Sequence, residues 1–205
     1  MKIYIVNGSG EYRRLFTSLG MSMTDDLNEA NTVCFTGGED VTPSIYGDSP
    51  HPQTHNSVYR DVKETQIFEQ CRANNIPMVG ICRGAQFLNV MSGGRMYQHI
   101  QKHLGDHLIT DLETGNTLYV SSTHHQMMLP SPNGLLVASS TLAGDREWYE
   151  GEIFKKDVSI EDIEVVYYEH TNCLCFQPHP EFSSPLYASM KEYFTYCVGK
   201  YLIKE

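Results

Sequence analysis

The sequence predicts an α/β protein whose central sheet is mostly parallel and is covered by helices on both faces. Short apolar runs rich in β-branched residues occur at residues 2–6, 32–36 and 76–81, as expected of buried strands. A segment with helical spacing of apolar residues follows each run. This strand–helix order occurs three times in the first half of the chain, which favours a parallel sheet in a three-layer α/β/α arrangement.

The elements follow from these patterns in chain order. Helices are expected at Glu11–Leu19, Arg60–Asn74, Ala85–Met91 and Pro185–Leu202. In the second helix, we expect Val62, Ile67, Phe68 and Cys71 to face inward. The region 95–168 changes to short strands and turns, with strands near residues 95–100, 107–110, 117–120, 135–140 and 164–169, and the last core strand spans 172–176.

Length and composition limit the classes of protein to which the chain can belong. A chain of 205 residues is expected to form one domain, residues 1–205, with a substantial core. Its formal charge is 15 − 25 = −10 and its basic residues are scattered, so neither nucleic acid nor an anionic membrane is an expected partner. The N-terminus lacks the apolar stretch of a signal peptide, and the six cysteines are dispersed, so we expect a cytoplasmic protein.

The stretch Val79–Gln86 places a cysteine between a predicted strand and a predicted helix. Gly80 and Gly84 flank Cys82 with small residues, as a sharp strand-to-helix turn requires. Such a turn presents the sulfur at the carboxyl edge of the sheet and directs the first amides of the helix toward it. An isolated cysteine is more often a buried structural thiol, but this context favours a nucleophile.

A cysteine nucleophile needs a base, which is usually oriented by a carboxylate. His179 and Glu181 meet this requirement, because residues two apart on an extended stretch point the same way. They directly follow the predicted strand that contains Cys173 and Cys175. These two cysteines share one strand face, and we interpret them as packing residues rather than a redox pair.

For three polar segments, the sequence alone allows more than one interpretation. Gly37-Gly38 is either a plain turn or a pair of free backbone amides facing a ligand. Thr123–Gln126 is either a capped helix start or a substrate-facing loop. His99, His103 and His107 would share a face on a continuous helix and could bind a metal there, but Gly105 and Asp106 interrupt such a helix. We therefore expect these histidines to be solvated.

Two motifs carry a family resemblance. Gly80-Ile81-Cys82-Arg83-Gly84-Ala85-Gln86 and Gln177-Pro178-His179-Pro180-Glu181 together resemble the signatures G-[IL]-C-x-G-x-Q and H-P-E of the class I glutamine amidotransferases. The segments Gly37–Gly47, Arg60–Glu64 and Ser122–Gln126 are similar to the γ-glutamyl hydrolase branch, peptidase family C26. Members usually carry an aromatic residue before the histidine, where this chain has Pro178. The chain is also shorter than typical members of polyamine pathways.

The resemblance implies a fold and a set of roles. The fold is a flavodoxin-like α/β/α sandwich, a single glutamine amidotransferase type-1 domain. The implied triad is Cys82, His179 and Glu181, and the implied oxyanion hole consists of the amides of Gly38 and Arg83. The implied residues of the γ-glutamyl pocket are Gln86, His125 and Gln126. Neither a metal nor an organic cofactor is required.

The expected function is cysteine-dependent hydrolysis of the γ-glutamyl amide bond in a small conjugate of an amine, amino acid or nucleotide-linked amide. The alternative is a glutaminase subunit that passes ammonia to a separate synthetase. A binding protein that has lost its chemistry is a third reading, which the intact Cys82, His179 and Glu181 disfavour. The sequence gives no oligomeric state and does not identify the leaving amine.

Overall fold

The computed structural model describes residues 1–101, 103–142, 144–159 and 161–203. The other five positions of the expected domain, 102, 143, 160, 204 and 205, lie outside the described residues. The helices are α1 (Gly10–Ser18), α2 (Val58–Ala73), α3 (Arg83–Met91) and α4 (Ala188–Tyr201). The strands are β1 (Lys2–Val6), β2 (Ser22–Met23), β3 (Thr32–Phe35), β4 (Met78–Ile81), β5 (Arg95–Tyr97), β6 (His99–Ile100), β7 (His107–Asp111), β8 (Thr117–Val120), β9 (Met127–Leu129), β10 (Leu135–Ser140), β11 (Gly144–Glu150), β12 (Ile153–Ser159), β13 (Asp162–Tyr168) and β14 (Cys173–Phe176).

A mixed sheet of nine strands forms the centre of the fold, in the order β2-β1-β3-β4-β14-β13-β10-β7-β8. The five strands from β2 to β14 pair in parallel, and the remaining four continue the sheet with antiparallel pairing. The predicted α/β class is confirmed, but the sheet is mixed rather than mostly parallel, because the region after α3 adds four strands in antiparallel pairs. The parallel part contains the strands that alternate with helices along the chain, because a parallel pair needs a long crossover.

Helices cover both faces of this sheet. One apolar cluster packs α1 and α4 against the sheet through side chains such as Phe16 and Phe194. A second cluster packs α2 and α3 against the other face through Phe68 and Phe87, whose rings meet edge to face. Cys173 and Cys175 both lie in this second cluster, so they are packing residues.

Helix α2 differs from its predicted orientation. Val62 was expected inward but is 53% exposed, whereas the helix buries Asp61 and Glu64 together with Phe68 and Cys71. Apolar periodicity alone assigns carboxylates to the solvent side. Here the buried face meets arginine side chains, and their charge permits the carboxylates to face inward.

The region 95–168 contains more strand than the sequence predicted. Strands β11 and β12 form a hairpin that adds to β6 in a separate sheet of three strands, and β9 pairs with β5. None of β9, β11 and β12 was predicted. No helix in the described ranges is long and apolar enough to cross a lipid bilayer.

Candidate active site

Cys82 stands at the turn between β4 and α3, as the glycine spacing predicts. Its backbone has φ 52° and ψ −112°, a strained conformation for a residue with a side chain. A Cβ on Gly80 would lie 2.3 Å from the Gly84 carbonyl oxygen, and one on Gly84 would lie 2.0 Å from that of Phe35. Only glycine fits at these two positions. Cys82 is 7% exposed, so only a small part of it faces solvent.

The structure brings His179 and Glu181 to this cysteine. Strand β14 pairs in parallel with β4, with Phe176 opposite Ile81, so the residues after both strands emerge at the same edge. His179 Nδ1 lies 2.6 Å from Glu181 Oε1. Burial opposes a charged ring at His179, but hydrogen bonds and charge interactions with Cys82 and Glu181 outweigh it and raise the pKa of His179 to about 10. A histidine held beside a cysteine and oriented by a carboxylate is the arrangement of a cysteine nucleophile and its base.

Several neighbours of His179 were not singled out as site residues in the sequence. Thr123 Oγ1 lies 2.9 Å from His179 Nε2, and the His179 amide donates to Ser121 Oγ at 3.0 Å. The Phe182 ring stacks on the imidazole at 4.6 Å between centroids. Thr123 lies in a loop before β9 and caps no helix, so the capped-helix reading of this segment is wrong.

The segment Thr36–Glu39 follows β3 and passes beside Cys82. Arg60 donates to the carbonyl oxygens of Thr36 and Gly37 at 2.9 and 3.0 Å. Because a trans peptide points its N–H opposite to its C=O, the Gly38 amide is directed away from Arg60. Gly38 has φ 141°, and a Cβ there would lie 2.1 Å from Arg60 Nη1. The Gly37 amide donates to Tyr12 Oη at 3.0 Å, so the reading of two free amides is wrong at Gly37, and Arg60 fixes the direction of the Gly38 amide.

The backbone amide and the guanidinium of Arg83 lie in different environments. Its backbone amide belongs to the first turn of α3, where N–H groups have no acceptor within the helix. Its guanidinium is buried and pairs with Asp61 and Glu64 of α2, and its Nε donates to the Glu39 carbonyl oxygen at 3.1 Å. This network joins the turn at Cys82 to the segment at Gly38.

The three residues expected in a substrate pocket fall into two groups. Gln86 and Gln126 are buried and joined, since Gln86 Nε2 donates to the Gln126 carbonyl oxygen at 3.1 Å. Gln126 Nε2 in turn donates to the Gln98 carbonyl oxygen at 3.0 Å. His125 is half-buried and lies 3.2 Å from Asp40 Oδ1. The two glutamines therefore tie α3 to the loop 121–126, while His125 faces the Asp40 loop.

A cysteine, an imidazole and a carboxylate at the carboxyl ends of adjacent parallel strands, on this sheet order, define a class I glutamine amidotransferase-like protein. The family model described as Peptidase C26 matches residues 16–181, and the chain belongs to that family.

Individual relatives agree with this assignment. A Mycobacterium tuberculosis protein named for an inferred glutamine amidotransferase activity is 40% identical over 80 residues, which cover 38% of this chain and 26% of that protein. The carbamoyl phosphate synthase small chain of Thermotoga maritima is 33% identical over 75 residues, which cover 36% of this chain and 19% of that protein. The matched regions are thus a minor part of both relatives.

Solved structures show the same fold. A chain in the structure of PurLQS from Thermotoga maritima superposes with a TM-score of 0.63 at 16% sequence identity, covering 99% of this chain and 98% of that chain. At this level of sequence identity, the likeness concerns the fold alone.

Proposed function

We propose that the chain hydrolyses the γ-glutamyl amide bond of a small conjugate and releases glutamate and an amine. The observation that carries the proposal is the convergence of Cys82, His179 and Glu181 at the ends of β4 and β14. The branch-like segments Gly37–Gly47, Arg60–Glu64 and Ser122–Gln126 favour a γ-glutamyl conjugate over free glutamine.

The first half of the reaction forms a thioester. The Cys82 thiolate attacks the γ-carbonyl carbon, and the C=O electron pair moves to oxygen, where the amides of Gly38 and Arg83 stabilise the oxyanion. The C–N bond then breaks, and protonated His179 gives its proton to the leaving nitrogen. The raised pKa of His179 supports this role, because the ring carries the required proton before the substrate arrives.

The second half of the reaction consumes water. His179, now neutral, accepts a proton from a water molecule whose oxygen attacks the thioester carbonyl carbon. Collapse of this second oxyanion breaks the C–S bond, which regenerates the Cys82 thiolate and leaves His179 protonated. Glu181 holds Nδ1 of His179 at 2.6 Å throughout, which fixes the ring orientation. No step requires a metal or an organic cofactor.

Mass spectrometry on a panel of γ-glutamyl amides, with glutamine included, tests this proposal. We expect glutamate release from at least one member and a γ-glutamyl adduct on the peptide that contains Cys82. Cys82→Ala should lose both, whereas Cys197→Ala, which alters a buried cysteine of α4, should keep both. Unchanged turnover in Cys82→Ala would contradict the assignment of the nucleophile.

The second candidate is a glutaminase subunit that supplies ammonia to a separate synthetase. The similarity to a carbamoyl phosphate synthase small chain favours it. Steady-state kinetics on the isolated chain separate the two candidates. Hydrolysis of γ-glutamyl amines without a partner supports the first candidate, and turnover of glutamine only with an added synthetase supports the second.

A further inference from the structure

Three histidines converge on one buried carboxylate behind the loop 121–126. His103 and His107 place Nε2 at 2.9 and 3.1 Å from Glu164 Oε1. The ring of His124 lies 4.9 Å from that of His103. The expectation that His103 and His107 are solvated is wrong, because both side chains are buried. They reach Glu164 of β13 from the start of β7 and from the segment before it, and not from one helix, so helical spacing could not indicate the cluster.

Each of the three rings is held through its other nitrogen. His124 Nδ1 lies 2.9 Å from the Gln126 carbonyl oxygen, and His107 Nδ1 lies 3.2 Å from that of Gly105. His103 Nδ1 lies 3.2 Å from Asp162 Oδ2. A carbonyl or carboxylate oxygen only accepts, so each Nδ1 carries a ring proton. His124 Nε2 then offers its lone pair, whereas His103 Nε2 faces Glu164 Oε1 and must give up a proton when a metal binds. The outer hydrogen bond at Nδ1 is the arrangement found for histidines that bind a metal through Nε2.

The cluster also leaves two buried polar atoms without a partner. His124 is 5% exposed and its Nε2 has no hydrogen bond, and Glu164 is 0% exposed and its Oε2 has none. If His103 and His107 were each protonated on both ring nitrogens, their Nε2 atoms could donate to Glu164 Oε1. His124 Nε2 and Glu164 Oε2 would still have no partner.

We propose that His103, His124 and Glu164 bind one divalent transition-metal ion of the zinc class. His107 does not touch the ion in this arrangement but donates a hydrogen bond to Glu164. One ring nitrogen of His103, one of His124 and one carboxylate oxygen of Glu164 all lie within 4.8 Å of one another. Ligands on a tetrahedral zinc ion lie roughly 3.4 Å apart, so small side-chain movements close the site. Two imidazoles and one carboxylate favour zinc, cobalt or nickel over magnesium or calcium, which prefer oxygen ligands.

The ion would brace the loop that holds His179. His124 directly follows Thr123, whose hydroxyl lies 2.9 Å from His179 Nε2. Ser122 Oγ donates to the His103 carbonyl oxygen at 2.5 Å, so the segment at 103 and the loop 121–126 already meet. A metal bound across His103 and His124 would fix both segments to β13. With three protein ligands, the ion would keep one position for water, and its bracing role does not depend on which amide the chain hydrolyses.

Metal analysis of the full chain, purified without an affinity tag, tests the proposal independently of activity. We expect inductively coupled plasma mass spectrometry to find one zinc-class ion per chain. Removal by a strong chelator should lower the Tm by roughly 5–10 °C, and added Zn²⁺ should restore it. Co²⁺ added to the metal-free chain should give the visible absorption of a tetrahedral nitrogen–oxygen site.

Two variants and a control assign the ligands. His124→Gln and Glu164→Gln should lose the Co²⁺ absorption, while His170→Asn, which changes an exposed histidine, should keep it. If one ligand variant does not fold, the other variant and the titration of the wild-type chain still show whether a metal binds at this cluster. A wild-type chain that holds no metal, takes up neither Zn²⁺ nor Co²⁺ and keeps its Tm in chelator would overturn the proposal. So would full Co²⁺ absorption in a folded His124→Gln.

Discussion

Glu64→Gln should destabilise the fold strongly, although position 64 is on a helix whose neighbouring positions are exposed. The Glu64 side chain is 0% exposed and receives hydrogen bonds from Arg60 Nε at 2.7 Å, Asn7 Nδ2 at 3.1 Å and Arg83. Arg83 also pairs with buried Asp61, and Arg60 also pairs with Glu39, which is exposed. Glutamine keeps the shape but removes the buried carboxylate that both arginines share, so Arg60 retains only an exposed partner.

The expected cost follows from this loss of charge. Removing one partner of a buried ion pair costs about 3–5 kcal/mol, which for a chain of this size corresponds to a Tm roughly 6–15 °C lower. Equilibrium unfolding in urea measures the difference in free energy. The matched control is Glu69→Gln on the same helix, whose partner Arg72 is exposed, and we expect a loss of about 0.5 kcal/mol or less. Equal losses in the two variants would refute the reasoning about the buried network.

Two further predictions concern His179 and the turn at Cys82. Protonation of His179 should stabilise the fold, fully below pH ~6.5 and progressively less as pH rises to about 10, because its pKa is raised on folding. Unfolding free energies across this pH range should show the loss in wild type and a weaker one in Glu181→Gln, and identical slopes would contradict it. Gly84→Ala should cost at least about 1–3 kcal/mol, because its Cβ would meet the Phe35 carbonyl oxygen at 2.0 Å. Gly199→Ala, in an open position of α4, should raise stability by up to about 1 kcal/mol, and a similar effect at both glycines would count against the steric argument.

The sequence predicts those features that depend on local spacing. The turn at Cys82 was predicted because glycines two residues before and after it leave room for backbone contacts. The α/β class was predicted because strand and helix periods alternate in the first half of the chain. The pairing of His179 with Glu181 follows from the alternation of side chains on extended backbone, and the structure places these two side chains in contact.

Features that depend on tertiary charge pairing were not predicted. Periodicity places Val62 inward because it ignores the arginines that neutralise Asp61 and Glu64 from other segments. The hairpin of β11 and β12 was missed because charged residues occupy many of its positions, as is common in strands with little buried surface. The cluster at His124 and Glu164 joins residues forty positions apart, a separation at which no short-range pattern operates.

The order of strands has a consequence for how the molecule opens. Strands β4 and β14 are the fourth and fifth of nine, and the Cys82 amide donates to the Phe176 carbonyl oxygen at 3.0 Å. Backbone fluctuations that fray β2 or β8 at the outer edges therefore leave the spacing between the segments that carry Cys82 and His179 unchanged. In native-state hydrogen exchange, the amides around Cys82 and Phe176 should be among the last to exchange, so the proposed catalytic groups are anchored on the slowest-opening part of the chain.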